Sequence, residues 1–166
     1  MKTILLTGTP GTGKSFVAKK LSLFLHYKYF DIGKFVKDAK LYSSYDKKRS
    51  CYVVDERKLA RALSKVRQNA LKKGEKGLIL DSHMSHYLPS KYANACILTF
   101  CSLKTLKERL TRRGYSSSKV RENLDAEIFD TCLTEAAERG HKVLLFSTTK
   151  TRIPAIKELA RKIKSL

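Results

Sequence analysis

Residues 8–15 read Gly-Thr-Pro-Gly-Thr-Gly-Lys-Ser and fill every fixed position of the pattern G-x-x-x-x-G-K-[ST]. A β-like apolar run, Thr3 to Thr7, leads into this stretch, and an amphipathic segment from Phe16 to Leu25 leads out of it. The stretch therefore has to be a tight strand-to-helix turn. Gly8, Gly11 and Gly13 let the backbone curl so that successive N–H groups point inward, and the helix N-terminus behind them adds its dipole. A concave row of donors of this kind binds phosphate. Gly11, Thr12, Gly13 and Phe16 offer backbone N–H groups, and Lys14 is placed to bridge two phosphates of one nucleotide. The Ser15 hydroxyl suits Mg²⁺, an ion that keeps several waters and takes few protein ligands.

The rest of the chain has the rhythm of an α/β domain. Thr3 to Thr7, Tyr29 to Ile32, Leu78 to Asp81, Ala95 to Phe100 and Val143 to Phe146 read as buried parallel strands. Between them lie helical stretches. Leu59, Leu63, Val66 and Ala70 mark one face of a helix from near Asp55 to Lys73-Gly74, and Leu103 to Leu110 forms another. Val120, Leu124 and Ile128 stripe a helix opening after Ser116-Ser117-Ser118. Ile156, Leu159 and Ile163 stripe the last helix, with Pro154 in its first turn. Strands alternating with helices imply right-handed crossovers and a parallel sheet covered on both faces.

With 166 residues, the chain is the size of one domain, residues 1–166, and it contains no repeat, linker or apolar run long enough to span a bilayer. Cys51, Cys96, Cys101 and Cys132 form no CxxC pair and sit mostly in apolar segments, so they read as buried reduced thiols of a cytoplasmic protein. The expected state is a monomer away from membranes. Against 15 acidic residues stand 35 basic ones, a net charge of +20 that concentrates polyanions around the molecule. A lysine-rich solvated surface and a ribonucleoprotein partner both explain this charge.

Further segments resemble nucleoside monophosphate kinases of the P-loop class, and more narrowly the adenylate kinase-like ATPases of small ribosomal subunit maturation. Leu41 to Leu59, LYSSYDKKRSCYVVDERKL, is similar to that family's LYxxYD, cysteine and DE segment. Asp81-Ser82-His83 resembles its D-x-H. Residues 108–116, ERLTRRGYS, and 122–128, ENLDAEI, look like its RL-x-x-RGY and E-N-x-x-AE blocks. Two departures stand out: Phe16 follows Ser15 where the family has a threonine, and Lys47, Lys48 and Arg49 make a commonly acidic stretch basic.

The resemblance implies a three-layer P-loop NTPase fold with a five-stranded parallel sheet in the order 2-3-1-4-5. It also implies a monophosphate-binding segment at about 31–54 and a short lid at about 112–122. The implied activity is transfer of the γ-phosphate of Mg-ATP to AMP, with ATP hydrolysis as a companion. A small-subunit ribosomal protein and pre-ribosomal RNA are the implied partners. The rival reading is a nucleotide-switched assembly ATPase whose kinase activity is incidental.

Asp81, at the C-terminal end of a strand, is where open parallel sheets bind ligands, and its carboxylate suits the Mg²⁺ water shell. From spacing alone His83 is a loop histidine; the D-x-H resemblance makes it a group that orients an attacking water. Arg109 and Arg113 are four apart and share one helix face. By resemblance Arg109 stacks near adenine and Arg113 contacts the transferring phosphate, with Gly114 as a lid hinge. Gly33 as a hinge and Tyr42 and Tyr45 as walls of the AMP site, and Thr148-Thr149 near adenine, rest on the resemblance too.

Overall fold

The computed structural model describes residues 1–47, 51–150 and 152–166. The first half of the chain supplies β1 (Lys2–Thr7), α1 (Lys14–Leu25), β2 (Lys28–Asp31), α2 (Ile32–Asp38), β3 (Tyr42–Asp46), β4 (Cys51–Val54) and α3 (Glu56–Lys72). The second supplies β5 (Gly77–Asp81), β6 (Ala95–Phe100), α4 (Leu103–Arg112), α5 (Ser117–Ile128), α6 (Thr131–Glu138), β7 (Val143–Ser147) and α7 (Ile153–Ser165). Five strands form one parallel sheet, β2-β5-β1-β6-β7; counted along the chain within this sheet alone, the order is 2-3-1-4-5. The α/β fold class is the expected one.

The three central strands are continuous apolar runs because both of their faces are covered. Ile4, Leu6, Ile79 and Ile97 pack against Val17 and Leu21 of α1 and Ile156 and Ile163 of α7. On the opposite face Leu5, Leu78 and Leu80 meet Val36 of α2, Leu59 and Leu63 of α3 and Ala136 of α6. Each such aliphatic chain, removed from water, contributes about 2 kcal/mol. The two outer strands differ from expectation. β2 is partly exposed, and on β7 Leu144 and Leu145 are 40% and 59% exposed, because an edge strand has a neighbour on one side only.

Local signals account for most helix ends. Asp55 caps α3 by accepting the Lys58 N–H at 2.8 Å, and Ser116 caps α5 by accepting the Lys119 N–H at 3.2 Å. Pro154 lies in the first turn of α7. Ile32 opens α2 rather than closing β2, since the Asp31 carboxylate accepts the Lys34 N–H at 2.9 Å and starts a helix there. The α5 stripe is shorter than its sequence suggests. Val120 is buried against Leu106 and Leu110 of α4, but Ile128 is 51% exposed because the helix outruns the surface it packs on. Cys96 and Cys101 are buried as expected, whereas Cys51 and Cys132 are only half-buried.

Three elements have no counterpart in the sequence reading: α2, α6 and the antiparallel β3-β4 hairpin. The first two are seven and eight residues long and bury one or two side chains each, too little to make a stripe. Of the basic stretch Lys47, Lys48 and Arg49, the last two lie outside the described residues. Among the described residues no helix is long and apolar enough to cross a membrane.

Candidate functional site

The glycine turn closes over the C-terminal edge of the sheet, between the end of β1 and the start of α1. Gly8, Gly11 and Gly13 all have positive φ, at 127°, 99° and 88°, which only glycine adopts without strain. Gly8 also has no room for a side chain: a Cβ would lie 2.3 Å from the Thr99 carbonyl oxygen of β6. Thr12 holds the turn shut, its hydroxyl 2.8 Å from both the Thr9 carbonyl and the Thr99 hydroxyl. Inside the turn Lys14 Nζ donates to the Thr9 carbonyl at 2.9 Å. Burial lowers the Lys14 pKa to about 8, although the Cys132 and Asp81 side chains pull it upward. Ser15 and Phe16 are exposed at the first turn of α1, with Ser15 on the rim of a cavity of about 250 Å³.

That cavity also touches Asp81, His83 and Arg113. Asp81, the last residue of β5, is buried; its Oδ2 accepts the Tyr29 hydroxyl at 2.8 Å, while its Oδ1 is buried with no hydrogen-bond partner among the described residues. Tyr29 comes from β2, and burial together with the Asp81 hydrogen bond pushes its phenol well above its ordinary range. A buried carboxylate oxygen without a partner costs free energy unless a cation or water meets it. Asp81 and Ser15 together form an oxygen donor set that fits Mg²⁺, which needs only one or two protein ligands.

His83 stands where the cavity widens. His83 is exposed in the cleft, and partial desolvation there, with the Lys14 and Lys119 charges, holds its pKa below the ordinary histidine value. The imidazole is therefore neutral at physiological pH rather than poised at its midpoint. Arg113, the C-cap of α4, reaches the phosphate cavity. Arg109 is turned the other way, donating to the Thr148 hydroxyl at 3.1 Å and the Thr148 carbonyl at 2.8 Å. Thr148 in turn donates to the Thr12 carbonyl, so the two arginines flank the glycine turn. Thr149 lies just outside, where its hydroxyl accepts the Ser102 N–H at 2.9 Å. Only residues 113–116 separate α4 from α5, with Gly114 at φ 75° closing α4 and Tyr115 N–H donating back to Leu110.

Beyond His83 a second cavity of about 940 Å³ opens, bounded on one side by the β3-β4 hairpin and on the other by α5 and α6. Pro10, Gly33 and His83 line both cavities, so the two are adjacent. Tyr42 and Tyr45 lie in the wall of the larger one. The ring between them is Tyr52, 4.4 Å from Tyr42 and 5.1 Å from Tyr45, centroid to centroid. Tyr52 escaped sequence reading because its partner across the hairpin is set by register, Tyr45 opposite Tyr52, and no Asn-Gly type turn marks the hairpin. Gly33 is at this wall too, but inside the first turns of α2, where a helical backbone uses none of glycine's extra freedom; the structure does not make it a hinge. Cys132 of α6 also faces the cavity, its thiol held protonated by burial, with a pKa raised to about 11.

His86 lies three residues after His83 and outside every sequence motif. It is buried and neutral, its pKa lowered to about 3 by burial and then by the Arg139 charge. Its contact with Glu135 at 2.9 Å is accordingly a hydrogen bond from a neutral ring. Its Nδ1 takes the Thr7 hydroxyl at 2.8 Å, which ties the end of β1 to α6.

Comparisons with known proteins agree with this geometry. A family model described as an AAA domain matches residues 4–130. A protein of Methanocaldococcus jannaschii, named for adenylate kinase, is 39% identical over 84% of this chain and 75% of its own length. The adenylate kinase isoenzyme 6 homolog of Caenorhabditis elegans is 35% identical over 81% of this chain and 72% of its own. The adenylate kinase isoenzyme 6 homolog FAP7 of Saccharomyces cerevisiae is 38% identical over 81% of this chain and 66% of its own. Among solved structures, a sugar kinase from Janibacter covers 99% of this chain and 95% of its own at 14% identity and TM-score 0.67. The shikimate kinase of Acinetobacter baumannii covers 99% and 92% at 15% identity and TM-score 0.60. At such identities these two likenesses speak for the fold alone.

Proposed function

Because the chain belongs to the family of adenylate kinase isoenzyme 6 homologs and their archaeal adenylate kinase relatives, a P-loop family, we propose that it transfers the γ-phosphate of ATP to AMP, giving two ADP. The observation that carries this reading is the adjacency of the two cavities: a phosphate cradle built on Lys14 lies beside an aromatic pocket of about 940 Å³, with His83 lining both. That is room for a second nucleotide whose phosphate would face the first. Residues 31–54 are then the monophosphate-binding segment, with Tyr42, Tyr45 and Tyr52 as its aromatic wall, and residues 112–122 are the lid.

Phosphoryl transfer asks the protein for positioning and charge neutralisation. Backbone N–H groups of the glycine turn hold the ATP phosphates. Lys14 exchanges the Thr9 carbonyl for phosphate oxygen, and the phosphate charge restores the proton affinity that burial removes. Ser15 and the unpartnered oxygen of Asp81 would hold Mg²⁺, which when bound neutralises the β- and γ-phosphate oxygens. Arg113 supplies a planar, permanently charged donor beside the transferring group, and Arg109, anchored on Thr148, walls the adenine side. Neutral His83 has a free acceptor for a water proton, which supports ATP hydrolysis when water fills the acceptor site. A lid of a few residues excludes water poorly, and that favours hydrolysis further.

A second reading draws on the net charge of +20. A nucleotide-switched assembly ATPase, acting with a small-subunit ribosomal protein or pre-ribosomal RNA in the cytoplasm, would use the same ATP site with slow turnover. ADP production by purified protein with Mg-ATP, with and without AMP and with Lys14→Ala as blank, separates the two. A strong AMP-dependent increase supports the kinase; slow AMP-independent phosphate release overturns it in favour of the assembly ATPase.

A further inference from the structure

Between Arg57 and Lys73 the chain carries seven cations and no carboxylate. This run becomes α3. Arg67 turns inward, 5.0 Å from the centroid of the Tyr92 ring. The other six, Arg57, Lys58, Arg61, Lys65, Lys72 and Lys73, are exposed. At about 100° per residue Arg57, Lys58, Arg61, Lys65 and Lys72 fall on the side of the helix opposite Leu59, Leu63 and Ala70, which are buried, while Lys73, the C-cap, stands off this row. At a rise of 1.5 Å per residue the row is about 22 Å long.

On α2, α5 and α7 cations pair with carboxylates one turn away: Lys34 with Asp38, Lys119 with Glu122, Arg121 with Asp125, Lys162 with Glu158. On α3 the one-turn neighbours are like charges, Arg57 and Lys58 with Arg61, and Arg61 with Lys65. Such pairs weaken a helix. The nearest acids face other tasks, Asp55 capping the helix and Glu56 bonded to Arg139. A row of uncompensated charge kept at a cost to its own helix is a surface built for a polyanion.

We propose that the outer face of α3 docks the phosphate backbone of helical RNA. No aromatic ring lies in the row to stack an unpaired base, as single-strand binders require. Leu71, the exposed large apolar residue of α3, lies about 100° off the row, so the face has no wedge for a lipid bilayer. Gln68 and Asn69 lie among the cations and are exposed. Their amides both donate and accept, which suits the 2′-hydroxyls that line the shallow groove of duplex RNA. The inference deepens the assembly reading and rests on it for the source of the RNA. It is independent of the nucleotide site.

The test titrates the full chain against a labelled RNA duplex of about 20 base pairs, the matched DNA duplex and polyglutamate, from about 50 to about 200 mM salt. Five phosphate contacts predict a slope of log affinity against log salt of about −4.5, at about −0.9 per contact. The triple variant Arg61→Gln/Lys65→Gln/Lys72→Gln should weaken RNA binding by at least about tenfold and flatten the slope by about 2.5. The control Lys157→Gln/Arg161→Gln/Lys164→Gln on α7 should stay within about twofold. Equal losses in both triples would mean diffuse attraction and overturn the proposal. Equal affinity for the DNA duplex overturns the assignment to RNA, and displacement of RNA by polyglutamate at matched charge assigns the face to an acidic protein instead. ADP production, unchanged in both triples, reports the kinase reading separately.

Discussion

The Thr7 hydroxyl donates to Nδ1 of His86 across 2.8 Å, and the other ring nitrogen donates to Glu135 at 2.9 Å. A hydroxyl–imidazole–carboxylate chain, buried at Thr7 and His86 and reaching solvent at Glu135, thus fixes the last residue of β1, immediately before the glycine turn, to α6. His141 closes it from behind, its Nε2–H donating to the His86 carbonyl at 2.9 Å. Replacing His86 by Ala leaves the Thr7 hydroxyl with only the longer 3.3 Å contact to the His83 carbonyl and removes the link to Glu135, and should cost about 1–3 kcal/mol, read as a lower midpoint in chemical denaturation.

The same residue sets a pH dependence. His86 has a folded pKa of about 3 against an ordinary value of 6.5, so the unfolded chain takes the proton first as pH falls. Its contribution is complete above about pH 6.5 and is lost progressively toward pH 3. Glu135, raised by burial, acts in the opposite sense over the carboxylate range. Wild type should lose stability between pH 7 and about pH 5, and His86→Gln should lose less over that interval; parallel curves would remove His86 as the cause.

Lys14→Ala and Asp81→Asn should each lower ADP production by about a hundredfold or more, since each removes a charge aimed at the phosphates. Asp81→Asn should also shift the Mg²⁺ requirement to higher concentration. Thermal melts should change little for Lys14→Ala, whose side chain bonds only to its own loop.

His83→Ala should cut AMP-independent hydrolysis by about a hundredfold while AMP-dependent transfer changes by less than about threefold. The two rates are measured on one preparation. Equal loss of both would assign His83 to holding the site together rather than to water.

Tyr52→Ala removes the ring between Tyr42 and Tyr45 and should raise the KM for AMP by about tenfold, with the KM for ATP unchanged. A rise in both would make the hairpin a structural support for the whole cleft.

Gly8→Ala should be among the most damaging single changes. The new Cβ would meet the Thr99 carbonyl oxygen at 2.3 Å in a backbone with φ of 127°, and the expected loss exceeds about 2 kcal/mol together with ATP binding. Circular dichroism melts and nucleotide titration read the two effects separately.

What the sequence determined by itself is everything governed by neighbours along the chain. The glycine turn, the apolar runs of β1, β5 and β6, the Asp55 and Ser116 caps and the buried stripe of α3 follow from local sterics, local hydrogen bonds and periodicity. The tertiary structure decided what depends on residues far apart. Tyr29 reaches Asp81 because β2 and β5 are paired in the sheet, and Tyr52 joins the aromatic wall through a hairpin with no turn signature. His86 finds Thr7 and Glu135 from positions 79 and 49 residues away. Such contacts are set by packing of whole elements, and no pattern within one element encodes which side chain will stand opposite it.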